Sequence, residues 1–170
     1  FNDTSLLENK IKILQKVDNL DEIVVTTDCD KMFALAEQLG VIAIKRPDYY
    51  TSNDCPGSEN LEFIATQVKT DYILYTPVTS PLVKSETYED IINTFRNLDD
   101  EYDSVVSMNY LKDFLWENNE PLNYDPLYCP RSQDMNSIFR LNFGACLLPR
   151  ETMIKNNYVV GNKPYWYELS

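Results

Sequence analysis

Few side chains in this sequence are equipped for chemistry, and arginines lead them. Arg131 and Arg140 carry planar guanidinium groups that can grip a carboxylate through two parallel bonds, as an acidic sugar would require. The competing role for both is structural pairing with the chain's many carboxylates. Arg46 follows directly on an apolar run, at an edge where a ligand could sit; otherwise it is a surface arginine packing on an acidic helix. Thr79 and Ser80 either hydrogen-bond a ligand or cap the turn they occupy. Asp54 lies on the polar loop after Arg46, where an ordinary turn role competes, and Ser58 is placed to N-cap the helix that follows.

What is missing narrows the chemistry further. With no histidine, Ser-His and Cys-His nucleophilic machinery is excluded within this chain. Its four glycines are isolated, so there is no Gly-rich phosphate cradle and no dinucleotide fingerprint. Phosphoryl or nucleotidyl transfer survives, because it rests on positioning, a divalent metal and cations around the phosphates. Asp28 and Asp30 form a D-x-D pattern that invites a magnesium reading, but aspartates so placed more often cap the next helix. No catalytic side chain and no metal ligand is assigned. Cys29, Cys55, Cys129 and Cys146 are scattered without a CxxC, which predicts free thiols and a reducing, cytoplasmic setting.

The elements that must position these residues follow from periodicity. Asp71 to Tyr75 is too short and too rich in aromatic and branched residues for a helix, so it reads as a buried strand. Thr79-Ser80-Pro81 breaks it, and Ser85 is expected to N-cap a helix over 86–97 with Glu86 and Glu89 near its positive end. Strands are likewise expected at 22–27, 41–45, 103–108, 138–148 and 164–168, and helices at 5–18, 30–39 and 58–69. The alternation predicts an α/β fold, a mostly parallel, Rossmann-like sheet with helices on both faces. Polar clusters then fall at the carboxyl ends of strands, where such sheets bind ligands. Residues 110–135, rich in aromatics, Asn, Asp and Pro, read as an irregular insertion with short strands.

Length and charge bound the rest. A chain of 170 residues is about one domain and buries roughly 70% of its unfolded surface. A net charge of −12 argues against nucleic-acid or anionic-membrane partners, and no apolar run approaches a membrane span. The same acidity makes the few cations informative.

Five segments also carry a resemblance. TTDCD at 26–30, RPDYYTSND at 46–54, TSPL at 79–82, DSVVSM at 103–108 and PRSQD…FRLNFGA at 130–145 occur in the order seen in acylneuraminate cytidylyltransferases (CMP-sialic acid synthetases), which the chain resembles from about Ser5 to Glu168. The resemblance implies a nucleotidyltransferase that joins CMP from CTP to an acidic sugar, with magnesium, as a homodimer built through the 110–135 insertion. It implies nucleotide contacts from Arg46, Asp54 and Ser58, and contacts to sugar acid or phosphate from Thr79, Ser80, Arg131, Arg140 and Asn142. The whole of 1–170 is then one cytidylyltransferase-like domain and an internal piece of a longer protein. A Gly-Ser-Lys triphosphate loop is expected upstream of Phe1 and metal aspartates beyond Ser170, so the piece alone is expected to be inactive. The missing first strand is expected between 22–27 and 71–75, leaving a gap between them or a collapse across it. TPVTSPLVK departs from the family's QPTSPLR: Pro77 stands at its glutamine and Val83 at its arginine, which opens the choice of acid. Arg150 is expected to matter little to activity. Two other readings remain, a non-catalytic nucleotide- or sugar-binding domain and a nucleotidyltransferase for a different acid.

Overall fold

The chain begins with a capped helix and two β/α steps. Ser5 caps α1 (Leu6–Leu14), its hydroxyl accepting the Glu8 N–H at 3.1 Å. The helix ends short of the expected residue 18, although Val17 beyond it is still buried. Strand β1 (Val24–Thr27), helix α2 (Asp30–Gln38) and strand β2 (Ile42–Lys45) follow, with Gly40 at φ +75° turning the chain between α2 and β2. Then come α3 (Gly57–Thr66), β3 (Tyr72–Tyr75), α4 (Ser85–Arg96) and β4 (Ser104–Leu111). The chain closes with a small ribbon, β5 (Trp116–Glu117) and β6 (Glu120–Pro121), then β7 (Ile138–Pro149), α5 (Arg150–Asn156) and β8 (Pro164–Glu168). This computed structural model describes residues 4–135 and 138–169. Phe1 and Ser170, and residues 136 and 137 of the last resembling segment, lie outside the described residues.

Three expected caps are corrected. Helix α4 starts at Ser85 itself with Lys84 as its cap, and the Ser85 hydroxyl donates to Glu86 instead. Helix α3 starts at Gly57 behind Pro56, so Ser58 is its second residue and not its cap. Cys29 caps α2, and Asp30 is drawn into an ion pair with Lys45.

Among the described residues β1 and β2 form a parallel pair, with Val24 opposite Ile42 and Thr27 opposite Lys45. A second sheet has the order β3-β7-β4-β8. There β3, β4 and β8 run one way and β7 runs against them, paired antiparallel on both sides. Strands β1 and β3 therefore sit in different hydrogen-bonded sheets among the described residues.

Alternation along β4 and β7 covers both faces of the larger sheet. Val105, Ala145 and Leu147 face a core with Tyr88, Ile91 and Ile92 of α4. Val106, Cys146 and Leu148 face another with Ala65 of α3 and Met153 of α5. A third cluster, Leu7, Ile11 and Ala36, joins α1 and α2 and receives Val78 from the turn after β3. The architecture is thus mixed α/β with helices on both sheet faces. Arg150 helps build it: its Nε donates to the carbonyls of Ala65 and Val68, at 3.2 and 2.7 Å, at the carboxyl end of α3. It is a stabilising residue and a poor neutral control.

The start of β4 is tied to the approach to β8 through Asp103. Its carboxylate accepts the N–H groups of Asn162 and Lys163 at 2.8 and 2.9 Å and the Ser104 hydroxyl at 3.0 Å. Partial burial pushes this carboxyl up, but those bonds outweigh it and leave the pKa below the ordinary carboxylate value. The stabilisation is complete above the ordinary carboxylate range and is lost as pH falls through the lowered value. Asp103→Asn should cost roughly 1–2 kcal/mol at neutral pH and flatten the acid limb of stability, read by denaturant melts from pH 2 to 7.

Candidate functional site

Arg46 continues the parallel ladder and then turns back. Its N–H donates to Thr27 O at 2.9 Å, while its guanidinium Nη2 donates to Thr26 O at 2.9 Å and Thr26 Oγ1 at 2.6 Å. Nε is buried with no partner, and the residue makes no ion pair among the described residues. The guanidinium also reaches the field of Tyr75 at the end of β3, whose phenol is pushed up by burial and drawn partly back by this charge. Arg46 thus ties the carboxyl end of β2 to that of β1. An orphaned buried donor requires an explanation.

The loop after Arg46 is fastened to α3. Tyr50 stacks on Phe63 with ring centroids 4.2 Å apart, and the Tyr49 hydroxyl donates to Glu59 at 2.6 Å. Asp54 and Ser58 are exposed, one in the turn and one in the first turn of α3. Near them Asn60 Oδ1 is buried and unpartnered.

The turn after β3 is held by α1. Asn9 Nδ2 donates to Pro81 O at 3.2 Å and Lys10 Nζ to Ser80 O at 2.9 Å. Thr79 is exposed and Ser80 half-buried. Neither α1 residue was singled out from the sequence. The signal was present: Lys10 is three residues after Leu7 and four before Leu14, on the stripe that faces the core.

Arg140 and Asn142 lie on β7 beside a large bulge. Val106 faces Cys146 but Met108 faces Leu141, so two steps along β4 match five along β7. Phe143 sits in the bulge at φ +54°. Asn142 holds it: Oδ1 accepts the Ser107 hydroxyl at 2.5 Å and the Gly144 N–H at 2.9 Å, and Nδ2 donates to Asn109 Oδ1 at 2.8 Å. A Cβ on Gly144 would lie 2.4 Å from Leu169 Cδ1 and 3.2 Å from Asn142 Oδ1 and Ser107 Oγ, so a larger residue there would have to displace Leu169 and crowd these bonds. Asn142 is therefore engaged inside the sheet, whereas Arg140 is exposed and without an ion pair among the described residues. Arg131 takes the structural alternative, its Nε donating to Asp134 at 2.6 Å.

The structure links the 79–81 turn to β7 through Lys10 and Tyr88, whose hydroxyl donates to Gly144 O at 3.5 Å. No hydrogen bond or ion pair among the described residues joins Arg131 to Arg140. Two cavities of about 260 and 300 Å³ contain none of the candidate residues. Asp71 and Tyr72 line one and Ile23 and Ile42 the other, at the amino ends of strands and away from the chemistry. Among the described residues no group of three His, Cys, Asp or Glu could hold a metal ion, and Asp30 is committed to Lys45. No described helix is long and apolar enough to cross a membrane.

No protein-family model matches the sequence, and no curated protein matches it. Solved structures do. A CMP:2-keto-3-deoxy-manno-octonic acid synthetase complexed with CTP superposes with a TM-score of 0.65 at 12% identity, over 96% of this chain and 79% of that one. The 4-diphosphocytidyl-2C-methyl-D-erythritol synthase of Anaerococcus prevotii gives 0.66 at 11%, over 91% and 63%. The bifunctional IspDF of Campylobacter jejuni gives 0.68 at 14%, over 98% of this chain but 42% of its own. At these identities the likeness defines the fold: this chain has the fold of these nucleotide-using enzymes and spans only part of their length.

The site analysis separates stability from function on β7. Asn142→Ala should cost about 2–4 kcal/mol, since it strands several buried partners at once. Arg140→Ala should stay within about 0.5 kcal/mol of the parent. Denaturant midpoints with unchanged m-values would check both.

Proposed function

We propose that this chain is the central portion of a cytidylyltransferase that transfers CMP from CTP to the hydroxyl of an acidic sugar and releases pyrophosphate. The observation that carries the reading is the fold shared over 96% of the chain with a CMP-sugar-acid synthetase complexed with CTP. Arg46 supports it, with an unpartnered guanidinium nitrogen at the carboxyl end of β2, the edge where open α/β sheets take ligands. In this reading Arg46, with Asp54 and Ser58 on the loop it opens, meets the nucleotide. Thr79, Ser80 and Arg140 meet the acid or the phosphates, and Asn142 acts by fixing the bulge that aims Arg140. Arg131, paired with Asp134, joins the site only by exchanging that carboxylate for the ligand's. The acceptor hydroxyl attacks the α-phosphorus and pyrophosphate leaves with the bonding pair, so no covalent intermediate on the protein is required.

A second acceptor class has an observation in its favour, because 4-diphosphocytidyl-2C-methyl-D-erythritol synthase superposes equally well. Such a product implies a phosphorylated acceptor. Pyrophosphate release by the intact protein, with CTP and magnesium against a panel of acidic sugars and a sugar-alcohol phosphate, separates the two. Turnover with neither would leave a binding domain.

Arg140→Ala in the intact protein should lower kcat/KM by about 10- to 150-fold, or roughly 1.5–3 kcal/mol, the range for a hydrogen bond to a charged group. Lys155, exposed in the last turn of α5, is the control, and Lys155→Ala should change little. Equal losses at both would remove Arg140 from the site.

The insertion supports a homodimer. Asn118 and Asn119, both at positive φ, close the β5–β6 hairpin, and Asn123 clamps its base through Leu115 N and Asp113 O. Tyr124 packs on Phe114 at 4.8 Å, but Trp116, Leu122, Leu127 and Tyr128 remain 58%, 55%, 89% and 83% exposed. Apolar groups presented in this density are typical of interface cores. Light scattering at micromolar concentration should give twice the monomer mass, and Trp116→Lys should shift it toward monomer.

A further inference from the structure

Among the described residues Lys10 is a buried cation that no anion answers. Its side chain is only 2% exposed, yet it forms no ion pair among the described residues, in a chain with 27 carboxylates. Its Nζ donates to Ser80 O and to the Tyr88 hydroxyl and lies 5.0 Å from the centre of the Tyr88 ring. A lysine ammonium has three donors, and two are used. Neutral oxygens ease the burial of a charge but do not cancel it.

The position of the charge gives it meaning. Three segments meet at Lys10: the 79–81 turn through Ser80 O, helix α4 through Tyr88, and the β7 bulge through the Tyr88 bond to Gly144 O. Asn9 adds a second bond from α1 to the same turn. We propose that Lys10 is a positioning residue that fixes the Thr79–Ser80–Pro81 turn and sets a positive charge behind it, so that this turn takes an anionic oxygen of the ligand, a carboxylate or a phosphate. The proposal rests on the turn's being a ligand segment, as in the function proposed above, and goes beyond it by assigning the charge.

The surroundings make the charge titratable. Burial brings the Lys10 ammonium down to about 8, and burial pushes the Tyr88 phenol up, so Tyr88 stays neutral as Lys10 titrates. Tyr88 is the titratable group in contact with it. Helix α2 meets α1 through Leu35, Ala36 and Leu39, and the 79–81 turn presents carbonyls. On α1 Glu8 is held by Lys12, and at the start of α4 Glu86 is held by Ser85. Glu89 and Asp90 of α4, and Asp30, Lys31 and Glu37 of α2, make no ion pair with Lys10. An anion that needs the ammonium therefore binds with uptake of a proton above pH 8.

The test is calorimetric titration of the intact protein at pH 7, 8 and 9 in buffers of different ionisation enthalpy. Pyrophosphate reports a phosphate site and N-acetylneuraminate a carboxylate site. For the anion that occupies the turn, affinity should fall about tenfold from pH 7 to pH 9 with up to one proton taken up. Lys10→Met should bind more weakly with no such step, and Lys10→Arg should bind without the step. Because the wild-type profile needs no variant, a folding failure in either substitution leaves the test intact. Without ligand, the melting temperature of the wild type relative to Lys10→Arg should rise between pH 8 and 10, as the penalty for burying the charge lifts. Wild-type binding that is flat with pH, or no binding of either anion, overturns the proposal. CTP-dependent pyrophosphate release with flat anion binding overturns the role of Lys10 and leaves the cytidylyltransferase standing. A Lys10-dependent pyrophosphate step without CTP turnover does the reverse.

Discussion

Strand β7 is the constraint on which the rest of the structure depends. It pairs with β3 on one side and β4 on the other, so the main sheet falls into two without it. Its residues alternate between the two cores: Ala145 and Leu147 under α4, Cys146 and Leu148 under α3 and α5. Because side chains alternate with a period of two, a slip of one residue would exchange the faces and break both cores together. The bulge absorbs the mismatch farther along the strand. Asn142, Ser107, Asn109 and Gly144 hold it with buried hydrogen bonds, so Arg140 stands on a rigid support.

Cations divide the molecule differently. In a chain with 27 acidic residues against 15 basic ones, a carboxylate is the ready partner for a cation, as for Lys12, Lys45 and Arg131. Arg150 is half-buried and has both answers, the Glu151 carboxylate and the carbonyls at the negative end of the α3 dipole. Arg46 and Lys10 have neither answer. Arg46 meets only Thr26 and keeps a buried nitrogen free, and Lys10 meets a carbonyl and a phenol. Both lie by the carboxyl ends of strands, one after β2 and one behind the turn that leaves β3. Unanswered positive charge in an acidic protein is costly, and in the function proposed above an anionic ligand would supply what is missing.

Much of this was legible in the sequence, because burial leaves a period. The β/α alternation, nearly every element and the two-faced sheet followed from apolar spacing in runs such as Val105-Val106. The parallel β1–β2 pair was legible from the β/α alternation, but the direction of β7 was not: a buried run such as Cys146-Leu147-Leu148 looks the same in a parallel or antiparallel setting. Caps failed at Ser58 and Ser85, where helices begin one residue before or at the serine, and the Ser85 hydroxyl turns to Glu86. Arg46 could be chosen because it follows its strand directly. Lys10 was passed over because a single charge on an apolar stripe is masked by the stripe, and its partners are 70 and 78 residues away.

The turn after β3 shows how a departure in sequence becomes one in structure. The family resembled places an arginine where this chain has Val83, and here Val83 packs inward against the α4 core with Tyr88 and Ile91. Pro77, at the family's glutamine, contributes a carbonyl that accepts the Ser80 N–H at 3.3 Å. Neither position offers a side chain that recognises an acid. The positive charge at this turn comes instead from α1, through the backbone of Ser80. A carbonyl-bound ammonium lacks the planar fork with which a guanidinium matches two oxygens, so it supplies field without dictating the shape of the anion. Under the function proposed above, selectivity among acids would then fall to exposed groups such as Thr79 and Arg140, and a different acid would be accepted without rebuilding the turn.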